Sequence, residues 1–144
     1  MNILLINGPN INLLGIRQPE IYGSDTYADL EKLVYDTARA LGVQVEMMQS
    51  NHEGVIVDAI QEARGVHDAI IINPGAYTHT SIAILDALSG VNIPAVEVHI
   101  SDPEKREVFR HISYAGMACI ERIVGQGIDG YRQALVFCRE EIHK

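Results

Sequence analysis

Ala69-Ile70-Ile71-Ile72-Asn73-Pro74-Gly75-Ala76-Tyr77-Thr78-His79-Thr80-Ser81 is the stretch on which the fold turns. Four successive apolar residues without polar alternation are what a strand covered on both faces requires. The run stops in Asn-Pro-Gly, and residues 82–88 then recur at helical spacing. A strand, a polar turn and a helix in that order put the turn at the strand's C-terminal mouth. In parallel α/β sheets ligands bind at that mouth. Asn7-Gly8-Pro9-Asn10 follows the apolar run 3–6 in the same way, and His99-Ile100-Ser101 follows 95–98.

Working outward, residues 3–6 predict a short central strand and residues 7–24 a long loop rich in Asn, Gly and Pro. Loops of that length within a domain are usually functional or mobile. Asp25 or Thr26 can cap the next helix, with Asp29 in capping-box position. Its apolar face recurs from Tyr27 to Leu41, and Gly42 stops it. Residues 43–48 alternate as a second strand, near an edge. Val55, Ile56, Ala59, Ile60 and Ala63 give a helix closed by Gly65. After the third strand, a helix to Leu88 should break at Ser89-Gly90. A fourth strand is expected at 95–98, a charged segment with one helical turn at 101–113, a fifth strand at 118–124, and a last helix at 129–142 capped by Asp129. The βα alternation predicts one α/β domain, 1–144, with a flavodoxin-like, doubly wound five-stranded parallel sheet in order 2-1-3-4-5.

Composition agrees with one folded domain. The 144 residues are 47% hydrophobic and 21% charged, enough for a sizeable core. A formal net charge of −8 argues against a nucleic-acid partner, which needs a basic face. It leaves room for an anionic small molecule held by a local Arg cluster. No run approaches a membrane span, and Met1-Asn2 leads straight into strand-like sequence, so a cytoplasmic location is expected. Cys119 and Cys138 lie in apolar-periodic segments and read as buried thiols in a reducing compartment. No CxxC or HExxH spacing is present, so no metal site is signalled.

The loops offer several chemistries. Asn7-Gly8-Pro9-Asn10 is neither GxxxxGK[ST] nor GxGxxG, which leaves a nucleotide- or flavin-binding module as the weaker alternative. A response-regulator reading lacks its acidic cluster and its lysine. Asn10 either sets an amide into the crevice or only forms a turn. Arg17 and Tyr22 share the first loop; a phenol with an ordinary pKa near ~10 acts as a base only beside positive charge, and the plainer reading is a surface Arg and a packed Tyr. Glu97 and His99 face the same side if the fourth strand persists, a common way to orient an imidazole. His79 at a helix start suits a neutral hydrogen-bonding role. Ser81, His79 and Asp86 lack a nucleophile elbow and do not make a hydrolase. Arg106 and Arg110 either clamp a carboxylate or pair with Glu104 and Glu107 on a solvated turn. Lys32, Lys105 and Lys144 all lie outside apolar strands, so an imine mechanism is poorly supported.

Taken together, several long motifs resemble the type II 3-dehydroquinate dehydratases (type II dehydroquinases). They are Ile6-Asn7-Gly8-Pro9-Asn10 with Leu13-Leu14-Gly15, Arg17-Gln18-Pro19-Glu20-Ile21-Tyr22-Gly23, Gln49-Ser50-Asn51-His52-Glu53-Gly54, and the opening run from Asn73 to Ser81. Glu97-Val98-His99-Ile100-Ser101, Phe109-Arg110-His111-Ile112-Ser113-Tyr114 and Gly125-Gln126-Gly127-Ile128-Asp129-Gly130-Tyr131 complete the set. The resemblance spans nearly the whole chain. It implies conversion of 3-dehydroquinate to 3-dehydroshikimate by anti elimination through an enolate, without metal, cofactor or covalent intermediate. It assigns Tyr22 as base, Arg17 as its activating and charge-stabilising partner, Asn10 as the holder of an enolate-binding water, and His99 as acid oriented by Glu97. Asn73, His79, Asp86, Arg110 and the Ile100-Ser101 backbone bind substrate. It further implies a lid over residues 15–25, and a homododecamer built as a tetramer of trimers. Gln18 stands where the family pattern has Glu, which should alter lid contacts rather than chemistry. Both aromatic biosynthesis and quinate breakdown use this reaction.

Overall fold

The computed structural model describes residues 1–142; Lys144 lies outside them. Five parallel strands form one sheet: β1 (Asn2–Asn7), β2 (Gln44–Gln49), β3 (Ala69–Asn73), β4 (Ala95–His99) and β5 (Glu121–Val124). Their order is β2-β1-β3-β4-β5, as the alternation predicts. The helices are α1 (Pro19–Tyr22), α2 (Tyr27–Leu41), α3 (Glu53–Glu62), α4 (Ile82–Val91) and α5 (Asp129–Glu141). No helix among the described residues is long and apolar enough to cross a membrane.

The unalternating strands are explained by what covers them. Ile3, Leu5, Ile71, Val96 and Val98 pack toward Leu30, Val34, Tyr131 and Leu135 of α2 and α5. Leu4, Ile6, Ile70, Ile72 and Ala95 pack on the other face toward Ile56, Ile60, Ile84 and Leu88 of α3 and α4. Both faces need apolar side chains, so the period-2 signal vanishes. A fully buried Ile or Leu contributes about 2 kcal/mol of transfer free energy, and these two layers hold the strand ends in register.

Local boundaries differ from the sequence expectation in four informative places. The loop after β1 contains a 3-10 turn, Ile11–Leu13, and the one-turn helix α1. The α4 helix runs through Ser89-Gly90 and stops at Asn92, which takes the left-handed conformation at φ 55°; neither Ser nor Gly forbids a helix that tertiary packing supports. Asp129 is the first residue of α5 rather than its cap, and its carboxylate instead binds Arg132 and Gln133. The segment 101–113 folds as two 3-10 turns, and β5 begins at Glu121, after a further 3-10 turn. The expected caps at Thr26 and Gly42 are present, the first as a full capping box with Asp29. Cys138 is buried and Cys119 half-buried, both as free thiols.

Candidate active site

The C-terminal ends of β1, β3 and β4 open into one cleft, beside β1 where the winding reverses. It is lined by Asn10, Arg17, Tyr22, Asn73, His79, His99, Ile100, Ser101, Arg106 and Arg110, with Pro9, Gly75 and Ala76 among the remaining walls.

The floor is set by backbone packing between two turns. The Gly8 amide donates to the Asn73 carbonyl at 2.7 Å. A Cβ on Gly8 would stand 2.4 Å from the Pro74 carbonyl oxygen, so only glycine allows this approach. Gly75, at φ +61°, would carry a Cβ 3.0 Å from the Pro9 oxygen. The Asn10 amide is taken by Asn51 Oδ1 at 3.1 Å, and Ile11 N reaches the Gly8 carbonyl. With Pro9 contributing no N–H, the amides of this loop are spent internally, which removes the cradle a phosphate would need. Asn10 itself takes a left-handed conformation at φ 71°, so it is both the turn former and a cleft residue.

Asn73 is held from behind. The hydroxyl of Tyr131 accepts from Asn73 Nδ2 at 2.8 Å and donates to Asn7 Oδ1 at 2.7 Å. Asn73 Oδ1 accepts from the Gly75 amide at 3.0 Å. Burial pushes the Tyr131 phenol well above its ordinary value, so it stays neutral and acts only as a bridge. Sequence reasoning had no means of seeing that bridge: Tyr131 sits on the apolar stripe of α5, and its partners lie 58 and 124 residues away.

β4 extends to His99, and the expected pairing is formed: His99 Nε2 lies 2.9 Å from Glu97 Oε1. Arg122 Nε donates to the same oxygen at 2.7 Å. Hydroxyls of Ser113 and Thr78 donate to Glu97 Oε2. Burial alone would raise the Glu97 carboxyl, but its hydrogen bond and charge interaction with His99, then Ser113 and Arg122, outweigh it and hold the group at about 2. Glu97 is therefore a fixed anion behind His99. With Nε2–H given to Glu97, Nδ1 is the imidazole nitrogen left for chemistry.

The first loop brings Arg17 and Tyr22 to the other wall. The Arg17 guanidinium lies over the Tyr22 ring, 4.5 Å from its centroid. Arg106 Nη1 donates to the Tyr22 hydroxyl at 2.8 Å, and its guanidinium is 5.4 Å from the same ring. The structure places both Arg106 and Arg110 in the cleft, Arg106 just after the turn Pro103–Lys105 and Arg110 at the end of Val108–Arg110, rather than on one helical face. Arg110 Nε also holds Glu107 Oε2 at 2.5 Å. Three guanidiniums thus line a cleft in a chain of net charge −8, the local reversal that an anionic ligand needs.

His79 lies at the end of a 3-10 turn, and Ser81 is the cap of α4. The neutrality of His79 therefore owes less to a helix start than to desolvation, which lowers its pKa most; His99 and Arg110 add to the lowering, and its hydrogen bond to the Ile112 carbonyl and the Glu97 charge oppose it. His79 Nδ1 meets the Ile112 carbonyl at 2.7 Å, so it is the donor there. The carbonyls of Ile100 and Ser101 are used by Gly127 and Gly125. Asp86 is not brought in: α4 turns it toward the groove it shares with Val57, Gln61 and Arg64 of the α3 side. No group of three or more His, Cys, Asp or Glu among the described residues could hold a metal ion.

Comparison with known proteins matches this chain along most of its length. The family described as Dehydroquinase class II matches residues 1–139. The chain is 53% identical over 133 residues to a 3-dehydroquinate dehydratase of Corynebacterium glutamicum, covering 92% of each. It is 58% identical over 134 residues to a catabolic 3-dehydroquinase of Emericella nidulans, covering 93% of this chain and 88% of that one. The crystal structure of a type II dehydroquinase from Butyrivibrio crossotus superposes with a TM-score of 0.93 at 51% identity, covering 95% and 96%.

Proposed function

The chain belongs to the class II dehydroquinase family, and from that premise we propose that it is a hydro-lyase converting 3-dehydroquinate to 3-dehydroshikimate and water. The observation that carries the reading is the pair of walls: a tyrosine with one guanidinium over its ring and a second on its hydroxyl, and a carboxylate-bound imidazole.

The chemistry follows from that arrangement. Tyr22, as the phenolate that Arg17 and Arg106 stabilise, takes the proton from the carbon next to the ketone. The electron pair moves into the carbonyl to form an enolate, which fixed polar groups near Asn10 stabilise through a water. His99 Nδ1, protonated, gives its proton to the departing C1 hydroxyl. The C–O bond breaks, water leaves, and the enolate's electron pair forms the double bond conjugated to the ketone. Tyr22 ends protonated and His99 neutral, and exchange with solvent restores both. Asn73, His79, Arg110 and the Ile100-Ser101 amides are assigned to the substrate's hydroxyls and carboxylate. No lysine lines the cleft among the described residues, which supports elimination without an imine. The resemblance also assigned Asp86 to the substrate; within this chain it lies on the groove beside α3, outside the cleft.

Residues 15–25 act as the lid: they carry Arg17 and Tyr22, and closing them assembles the base side of the site. Gln18, at φ 38°, accepts the Ile21 and Tyr22 amides through its carbonyl and so starts α1. Val108, Phe109, Ile112, Met117 and Ile120 are all exposed, apolar surface of the kind that meets a partner, which supports self-association; the resemblance supplies the dodecamer of trimeric units. The two free thiols support a reducing, cytoplasmic setting. The test is direct: add 3-dehydroquinate and follow the ultraviolet absorbance of the conjugated enone. No rise with folded protein refutes the reading. Light scattering that shows a stable monomer refutes the assembly.

A further inference from the structure

We propose that Arg122 is a positioning residue for the proton donor: acting through Glu97, it weakens that carboxylate's stabilisation of the protonated His99 imidazole. The proposal rests on the reading of His99 as the acid of the elimination. β4 and β5 run parallel with Glu97 directly opposite Arg122. That register brings Arg122 Nε to Glu97 Oε1 at 2.7 Å, the oxygen that His99 Nε2 meets at 2.9 Å. One carboxylate oxygen thus serves two cationic partners. The other, Oε2, is occupied by the hydroxyls of Ser113 and Thr78.

The consequence is electrostatic. A buried carboxylate beside an imidazole stabilises imidazolium, and an acid held too firmly is a poor donor. A guanidinium on the same oxygen draws charge away from His99 and repels imidazolium across a short, poorly solvated distance. Glu97 keeps the tautomer that leaves Nδ1 for substrate, and Arg122 keeps the donor labile. Stability alone explains the arginine less well, because its Nη2 is buried without a hydrogen-bond partner among the described residues, and an unpaired buried donor is costly. Of the other titratable groups, His79, from the turn at Gly75–His79, interacts with His99 and Glu97 at longer range, and Arg110, from the turn at Val108–Arg110, acts on His79. Glu121 Oε1 accepts from the Arg122 backbone amide at 2.7 Å. Cys119, next to Glu97 and Arg122, is kept a neutral thiol by burial.

The experiment is an NMR titration of protein carrying 13C at histidine Cε1, with the His99 resonance assigned by its loss in His99→Asn. In Arg122→Gln the His99 midpoint should rise by roughly one pH unit. In Arg122→Lys, which keeps the charge, it should stay near the wild-type value. In kinetics with 3-dehydroquinate, the limb of the kcat profile that reports the donor should move with it while KM stays within about two-fold. A midpoint that is unmoved or falls in Arg122→Gln, or that shifts equally in both variants, overturns the proposal. Should Arg122→Gln fail to fold, wild-type protein labelled at arginine 15Nε decides. Its Arg122 Nε–H resonance must titrate with the His99 midpoint, and a resonance that ignores that midpoint is a refutation. Because the titrations need no turnover, a protein that shows the shift without dehydrating 3-dehydroquinate defeats the functional reading while supporting the coupling.

Discussion

Glu97→Gln is expected to cost stability in a pH-dependent way that reports the loss of the Glu97 charge and of its pairing with His99 and Arg122. The substitution keeps the shape of a side chain that is fully buried and bonded to His99, Arg122, Ser113 and Thr78. What it removes is the ionised carboxylate, held at about 2 against an ordinary 4.5. At ~1.36 kcal/mol per pH unit that difference is worth about 3 kcal/mol at neutral pH. The sign is fixed by the depressed folded value. Between pH 4.5 and about 2 the unfolded chain holds the proton and the folded chain does not, so stability falls as pH drops through that window. The contribution should be complete above pH 4.5, about 1 kcal/mol at pH 3 and under ~0.5 kcal/mol at pH 2. Urea unfolding of both proteins at pH 7, 5, 4 and 3, at one protomer concentration, measures it. The gap between wild type and Glu97→Gln should close as the wild type is protonated. A gap equal at pH 7 and pH 3 would refute the reasoning, since Glu97 would then act through neutral hydrogen bonds and packing alone.

Three further outcomes are expected. Tyr22→Phe should fold and bind 3-dehydroquinate yet lose at least ~10²-fold in turnover, read by enone absorbance; near-normal turnover sinks the assignment of the base, and His99→Ala should behave in the same manner. Tyr131→Phe removes the hydroxyl that joins Asn7 to Asn73, leaving Asn7 Oδ1 and Asn73 Nδ2 without that partner, and should cost about 2–3 kcal/mol in chemical denaturation and raise KM; unchanged stability would mean that these two atoms find other partners. Gly8→Ala drives a methyl against the Pro74 carbonyl, 2.4 Å from an ideal Cβ, and should lose roughly 2–3 kcal/mol because the obstacle is backbone; a Tm within a degree of wild type would show that the two turns can part.

Much of the architecture was legible in the chain because it depends on local rules. Runs such as Ile3-Leu4-Leu5-Ile6 and Ala69-Ile70-Ile71-Ile72 announce strands covered on both faces, and helices between them favour parallel pairing in a doubly wound sheet, the class to which the observed order β2-β1-β3-β4-β5 belongs. Thr26 with Asp29 started α2 where expected, and Gly42 ended it, since caps are settled within one turn. Ser89-Gly90 misled because helix propensity is weak beside packing: α4 buries Ala87 and Leu88 and carries the helix past both residues. His79 and Asp86 show the same limit at the site. Sequence spacing alone cannot tell which way a helix face turns, and Asp86 turned to the α3 groove while His79 stayed in the cleft.

What the sequence determined by itself was the fold class, the strand mouths that carry polar residues, and, through its motifs, the family. What only the tertiary structure decided was which distant side chains complete those residues. Arg106 reaches Tyr22 across 84 positions, Tyr131 reaches Asn7 across 124, and Arg122 reaches Glu97 across 25. The first depends on how the two cleft loops meet, the second on how α5 packs on the sheet, and the third on strand register. All three are set by the whole core closing at once, and no local pattern in the chain encodes them.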